Sequence, residues 1–493
     1  MISYPLRIFL FIIGLSLTPG WLLQAQSLNE TSVFPSKSAS VVNGAAALNL
    51  NPANIALPAY RQRSELRFGN VSGGLLRGYP LDQSLEDLKG FDQDWLMIDA
   101  QQPLSVVEDE GFWKSEQGNN FVHYDALLAG FTQRRSSYSW GISVRSRGYN
   151  ASRISEDWYQ EKESAVTNRR LQQRMIAFHE IGLGYARPLE MVAGWRSGLN
   201  TVILGFNPKF VIGGMHFKGD YHSRYTYENS DEVQQSRSMS TVSTGAMAGV
   251  MNHMSGYGSN ASQAYAANIN EQSLFEPSGY GAGIDVGVTW VIAIGNDSAL
   301  APDSNERLRN NLRFSISVND IGAIRYTDET LKSEGADSTM VSRTPATTPY
   351  SFDGRPGEFH RFVGAHPSEN EIYGSLEHTE EVHWQQLPTT LNLATSLHYS
   401  GFMIGADARY QVHDYNFFER GWHTRIATES TLLWIIPIRS AIIFDPDFNP
   451  SFQIGAGLDF RYVDLRLDAR ITLSSDDLLR VRELSLGTLS IRF

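Results

Sequence analysis

His179 and Glu180 are the first pair that a search for acid–base chemistry finds, because an imidazole beside a carboxylate can serve as a base with its orienting partner. Neighbours on a strand point to opposite faces, so the two are not expected to meet on one substrate. The D-P-D-F-N stretch at 445–449 opens like a calcium loop. Pro450 and Ala456 stand where such a loop needs glycine and glutamate, so the stretch reads as a turn. No H-E-x-x-H, G-x-S-x-G or Walker A pattern occurs. The absence of cysteine excludes disulfides, thiolate metal sites and cysteine nucleophiles together. We therefore expect no enzyme, no cofactor and no metal.

The charges that do recur in a pattern have another use. Asp285, Asp407, Arg409, Asp459, Arg461, Arg466, Asp468 and Arg470 each sit between apolar residues at a spacing of two. That period belongs to strands with one apolar and one polar face. In YGAGIDVGVTW, Tyr280, Ala282, Ile284, Val286, Val288 and Trp290 share a face, opposite Gly281, Gly283, Asp285, Gly287 and Thr289. SFQIGAGLDFRY repeats the arrangement from Phe452 to Tyr462, and Leu465 to Leu473 continues it after Val463-Asp464, a two-residue turn that would pair Tyr462 with Leu465. Similar alternation runs through 138–145, 180–185, 312–319, 391–399 and 402–410. Less regular candidates lie near 64–73, 121–133, 200–217, 219–228, 424–434, 437–444 and 484–493.

Such strands suit either a soluble sandwich or a membrane barrel, and length separates them. Tyr280 to Trp290 and Phe452 to Tyr462 each set aromatics ten residues apart on the apolar face. That is about 33 Å of strand, or about 25 Å of height at a tilt of about 40°, the thickness of an apolar band between two aromatic girdles. Sandwich strands are usually shorter. The expected fold is all-β: a transmembrane antiparallel β-barrel of about 14 strands, its lumen lined by the charges just named. Leu489, Ile491 and the terminal Phe493 close an alternating strand in the manner of a barrel-assembly signal. The connections 74–120, 148–174, 228–279, 294–311 and 327–387 are then expected outside the cell. In the third of them Met247, Met251 and Met254 recur at helical spacing, as in a short helix packed on its own loop.

Residues 1–25 read as a signal peptide: Arg7, an apolar run IFLFIIGLSL at 8–17, then Leu23-Gln24-Ala25 before a mature start at Gln26. No other run is long enough to span a bilayer as a helix. A net charge of −12 without a basic stripe argues against nucleic acid. Between leader and strands stands AALNLNPANIAL, residues 46–57. Asn51 is a good N-cap, Pro52 fits the first helical position, and Ala53 begins a short helix whose faces are apolar or amide. Such a segment needs something to pack into.

VVNGAAALNLNPAN, with Asn51-Pro52-Ala53, resembles the N-terminal NPA segment of FadL-type outer-membrane channels for hydrophobic compounds. YGAGIDVGVTW, LRFSISVNDIGAIRY and LPTTLNLATSLHYS are similar to a family of uncharacterised outer-membrane proteins common in Bacteroidota. The resemblance covers about Ser36 to Phe493. It implies a fourteen-stranded barrel at 61–493, a plug at 26–60 carrying Asn51, Pro52 and Ala53, and the outer membrane of a Gram-negative bacterium. The partners expected are outer-membrane lipid, the barrel-assembly machinery and a small hydrophobic ligand. Two functions follow: passive uptake or binding of that ligand, or a non-transporting scaffold of a secretion or surface-attachment machinery of type IX kind.

Overall fold

The computed structural model describes residues 38–57, 63–80, 118–154, 166–190, 200–227, 233–257, 276–294, 310–326, 331–341, 377–380, 382–399, 401–413, 421–432, 435–445, 448–460, 462–473, 479–486 and 489–493. The leader at 1–25, the start of the expected plug, and Arg461 lie outside the described residues.

The strands in chain order are β1 (Ser64–Pro80), β2 (Gly118–Arg134), β3 (Ser139–Ile154), β4 (Val166–Glu190), β5 (Asn200–Tyr227), β6 (Val233–Thr244), β7 (Gly279–Ala293), β8 (Asn311–Tyr326), β9 (Leu331–Val341) and β10 (Glu377–Glu380). They continue as β11 (His383–Gln386), β12 (Thr390–Tyr399), β13 (Phe402–Gln411), β14 (Trp422–Leu432), β15 (Ile436–Asp445), β16 (Phe448–Asp459), β17 (Val463–Leu473), β18 (Leu479–Leu486) and β19 (Leu489–Arg492). One helix, α1 (Ala246–Tyr257), follows β6, with Met247, Val250 and Met251 buried. All pairings are antiparallel and belong to one sheet.

Followed through its hydrogen-bonded neighbours, the sheet returns to its first strand: β1 pairs with β2 on one edge and with β18 and β19 on the other. Ser64 and Phe493 exchange backbone hydrogen bonds at 3.0 Å, which joins the chain's last residue to the start of β1. The architecture is barrel-like: among the described residues β1 to β9 and β12 to β19 each have strand partners on two sides, whereas β10 pairs with β9 alone and β11 with β8 alone.

The faces are inside out relative to a water-soluble sandwich. Leu183 is 58% exposed and Ile316 54%, whereas Arg313, Arg425 and Arg470 are among the largest fully buried side chains. Exposed aliphatics over buried arginines are stable where the outer solvent is hydrocarbon and the inner face is polar. Tyr280, Ile284, Val286 and Val288 are exposed, and Asp285, Gly287 and Thr289 between them are buried. Phe452, Ile454, Leu458 and Tyr462 are exposed as well. Aromatic contacts recur along this apolar face, among them Phe210–Tyr280, Tyr410–Trp422, Tyr185–Phe206 and Trp290–Phe314.

Several strands differ from the expected ones. β5 is one strand of 28 residues rather than two, and it changes partner along its length: Asn200–Gly213 pair with β7 and His216–Tyr227 with β6. β3 and β4 extend into 148–174; β6 and α1 occupy part of 228–279; β9, β10 and β11 occupy part of 327–387. These added strands extend beyond the apolar band, where the outward rows are polar and the inward rows mix apolar with polar residues, so the binary alternation is weaker. Leu458 pairs with Leu465 and Phe460 exchanges hydrogen bonds with Val463, so Val463-Asp464 belong to the paired strand and are not the turn. The slip is even, and a slip of even number leaves apolar residues on the same face. The 294–310 connection joins β7 to β8 at the end that carries the 135–138 turn, opposite to the end expected for a long loop.

Candidate functional site

Residues 38–57 lie against the inner, polar face of the sheet as two short helices of the tight 3-10 type, Gly44–Asn49 and Pro52–Ala56. The cap expected at Asn51 forms: its backbone is extended, its side chain accepts from Ala53 N–H at 3.2 Å, and Pro52 follows at the first helical position. A run of five residues is too short for an α-helix to gain much, and the 3-10 form closes its turn with fewer residues. The amide of Asn51 also donates to Ala39 O at 3.1 Å and to Thr289 Oγ1 at 2.9 Å. Thr289 in turn donates to Asn54 Oδ1, and Asn54 donates to Ala39 O at 2.7 Å. Asn51, Pro52 and Ala53 are all buried.

The carbonyls left over at the end of the first helix find strand side chains. Leu48 O accepts from Asn207 at 3.0 Å, and Leu50 O from Ser317 at 2.7 Å and Asn319 at 2.8 Å. Helix ends buried without such partners would be costly. Asp407 reaches the start of the segment, accepting from Ser38 Oγ and from Ala39 N–H.

The seat is made of glycine. Gly205 and Gly287 are cross-strand partners on β5 and β7. A Cβ at Gly205 would run into the backbone of Pro52 and Ala53, and one at Gly287 into the Asn51 amide. Gly184 is likewise covered by Leu48, and Gly130 by Ala45. Sequence reasoning put Gly184 and Gly287 on a polar face, assigned no face to Gly205 or Gly130, and missed that these positions admit the N-terminal segment; glycine at inward strand positions was the available signal.

Beside the segment lies a layer of buried charge. Lys209 Nζ is 2.8 Å from Asp285 and 2.6 Å from Asp320, and Arg147 is 2.7 Å from Asp320. Glu180 faces Arg145 and Arg147 at 3.4 Å and Lys209 at 3.6 Å, and Asp125 pairs with Arg145. Asp285 also accepts from Asn207, the residue that holds Leu48 O, which ties the layer to the segment. Asp320 has φ 58°, the left-handed region that Asp tolerates better than most residues. It sits where β8 exchanges β12 for β11, and its N–H donates to Asp285 Oδ1 at 2.7 Å. Removing Lys209 alone would leave two buried carboxylates short of a partner, the costly way to break such a network.

Beyond the charges the interior becomes apolar. Tyr149, Ile176, Phe178, Val211, Ile324, Tyr326 and Leu387 form a buried cluster, with the Arg147 guanidinium 4.9 Å from the Phe178 ring centre. His216, Tyr326 and His383 stack at its edge, with centroids 4.8 Å apart for the two imidazoles.

The remaining candidate residues fall as follows. Asp407 pairs with Arg425 at 2.9 Å, Asp459 with Arg492 at 3.0 Å, and Asp468 with Arg439 at 3.3 Å; Arg470 donates to Ser451 at 2.7 Å. Arg409 lies 3.5 Å from Thr390 Oγ1 and is half-buried. The structure therefore brings Asp285 and Asp407 to the N-terminal segment, on separate sides, and leaves Asp459, Asp468 and Arg470 in pairs along the wall. The backbone of Arg466 pairs with Gly457. Ile491 and Phe493 are exposed on the apolar face, with Leu489 partly so. Glu180 is buried while His179 is half-buried on the other face, so they do not form one site. Among the described residues no group of three His, Cys, Asp or Glu could hold a metal ion.

An inside-out antiparallel sheet with its N-terminal segment seated on the polar face defines a barrel-like class. Residues 111–474 match the Family of unknown function (DUF5723), and the chain belongs to that family. No curated protein matches the chain. Among solved structures, the toluene transporter TbuX of Ralstonia pickettii is similar at 9% identity and a TM-score of 0.41, over 91% of this chain and 94% of that one. The toluene transporter TodX of P. putida is similar at 8% identity and a TM-score of 0.43, over 92% and 96%.

Proposed function

We propose that the chain, after loss of residues 1–25, is a fourteen-stranded barrel of the outer membrane of a Gram-negative bacterium. Fourteen is reached by following the ring of pairings, counting β18 and β19 as one interrupted strand and leaving out β6, β9, β10 and β11 as an outer tier. Residues 26–60 are its plug, seated through Asn51, Pro52 and Ala53. Tyr280, Trp290, Phe452 and Tyr462 belong to its aromatic girdles, and Leu489, Ile491 and Phe493 present the barrel to the assembly machinery.

Its function is passive uptake or binding of a small hydrophobic compound. The apolar cluster around Phe178, Val211, Ile324 and Leu387 carries this reading, because a hydrated lumen has no need of an aliphatic and aromatic layer on its inner face. The ligand would enter at the end with the long connections, rest on this layer, and go further only when the plug and the charges beside it shift. A non-transporting scaffold is the second reading, favoured by the close fit of the plug on Gly184, Gly205 and Gly287.

One experiment separates them. Protein in lipid nanodiscs is exposed to a small aromatic hydrocarbon, and the retained compound is measured by mass spectrometry against empty discs. Uptake predicts saturable retention that Phe178→Ala weakens by about tenfold, the effect of a lost aromatic contact of ~1.4 kcal/mol. Retention equal to that of empty discs, with other membrane proteins copurifying in fixed ratio, would favour the scaffold.

A further inference from the structure

Three polar rings meet at the edge of the apolar cluster and leave hydrogen-bonding atoms over. His216 on β5, Tyr326 at the end of β8 and His383 on β11 stack, with centroids 4.8 Å apart for the two imidazoles, 5.3 Å for His216 and Tyr326, and 6.3 Å for Tyr326 and His383. His216 is 3% exposed and Tyr326 0%, while His383 and Gln385, two residues along β11, are partly covered. Gln385 lies beside both imidazoles. Even so, Nδ1 of His216, Nε2 of His383 and the Tyr326 hydroxyl are buried with no hydrogen-bond partner. The tyrosine ring is seated on glycine, since a Cβ at Gly213 or at Gly279 would strike it. Phenylalanine would fill that seat equally well, so packing does not account for the hydroxyl. Buried polar groups left unsatisfied are costly, and three in one stack call for a partner from outside the chain.

Resting on the uptake reading above, we propose that this stack binds the polar group of the compound taken up, which is then a neutral hydroxylated aromatic of the phenol class and not a bare hydrocarbon. The apolar body of such a molecule rests on the cluster of Phe178, Val211, Ile324 and Leu387, and its hydroxyl donates to an imidazole nitrogen or accepts from Tyr326. It enters past His383 and Gln385, the partly covered members. Charge is not what the stack reads. Two imidazoles at 4.8 Å disfavour carrying a proton each, as like charges do. Arg147 beside Phe178 is engaged by Asp320 and Glu180, and Lys218 is exposed to solvent. A carboxylate buried here would lack a counter-charge. Sequence reasoning missed the stack because its members stand on three strands, and His383 lies in the stretch read as the 327–387 connection.

The test uses the full chain in lipid nanodiscs with three probes of one shape: 4-ethylphenol, ethylbenzene and 4-ethylbenzoate. Retention is measured by mass spectrometry and corrected for uptake by empty discs. The wild type is expected to retain 4-ethylphenol about tenfold better than either of the others, the effect of hydrogen bonds made in a dry site. Tyr326→Phe, which keeps the ring on its glycines, should bring 4-ethylphenol down about tenfold, leave ethylbenzene unchanged and leave urea unfolding unchanged. Equal retention of phenol and hydrocarbon by the wild type, or a preference that survives Tyr326→Phe, would overturn the proposal and leave ordered water as the partner of the three groups. Benzoate retained as well as phenol would overturn the neutral class, and a Tyr326→Phe protein that unfolds more easily would show that the hydroxyl serves the fold instead. Retention of none of the probes above empty discs would overturn the uptake reading itself, and this one with it.

Discussion

A single methyl group at position 205 probes the seat of the N-terminal segment. Gly205 lies under the Pro52–Ala53 peptide, and its substitution by alanine forces backbone against backbone. Gly205→Ala should cost the seated state about 1–3 kcal/mol, as overpacking does. Asn51→Ala, which removes the cap and the bonds to Ala39 and Thr289, should cost a similar ~1–3 kcal/mol. In hydrogen exchange both variants should lose protection at 38–57 and keep it in β13 and β14; unchanged protection would mean the segment is not held as described. The cap was legible because Asn-Pro acts locally. Its seat was not, because Gly205 and Gly287 are eighty-two residues apart in sequence and meet only through strand register. Asp320 escaped as well: a left-handed aspartate inside a strand has no local signal, since the change of partner from β12 to β11 creates it.

At the scale of elements, alternation was readable wherever an exposed apolar row backs a buried polar one. YGAGIDVGVTW and SFQIGAGLDF fell on their faces residue by residue. Strand β6, VQQSRSMSTVST, was read as loop because its outward row of Gln234, Ser236, Ser238 and Ser240 is polar and its inward row mixes Gln235 and Arg237 with Met239. A strand whose buried row is itself largely polar keeps its backbone pairing and loses the binary pattern. The same contrast gives a prediction. Val286 is 37% exposed, midway between Tyr280 and Trp290 on β7. On a water-exposed surface Val286→Arg would change stability by within about 0.5 kcal/mol. At the midplane of a bilayer it should cost about 2–4 kcal/mol, read from urea unfolding of protein refolded into vesicles. A negligible change would place this face in water.

The whole molecule is organised by which solvent each face meets. Exposed leucine and isoleucine outside, paired arginine and aspartate inside, and a capped segment packed on glycine make one consistent set. In water the same surface would be a continuous apolar patch far larger than soluble proteins carry. The first and last described strands meet, Ser64 against Phe493, and among the described residues no second sheet lies over the apolar face. The central claim is therefore that hydrocarbon, not protein, covers it. Fractionation of cells making the full chain tests this most directly, with electrophoretic mobility compared before and after heating. The account predicts recovery in the outer-membrane fraction, extraction only by detergent, and a folded band that shifts on heating. Recovery of folded protein from the periplasm without detergent would contradict it.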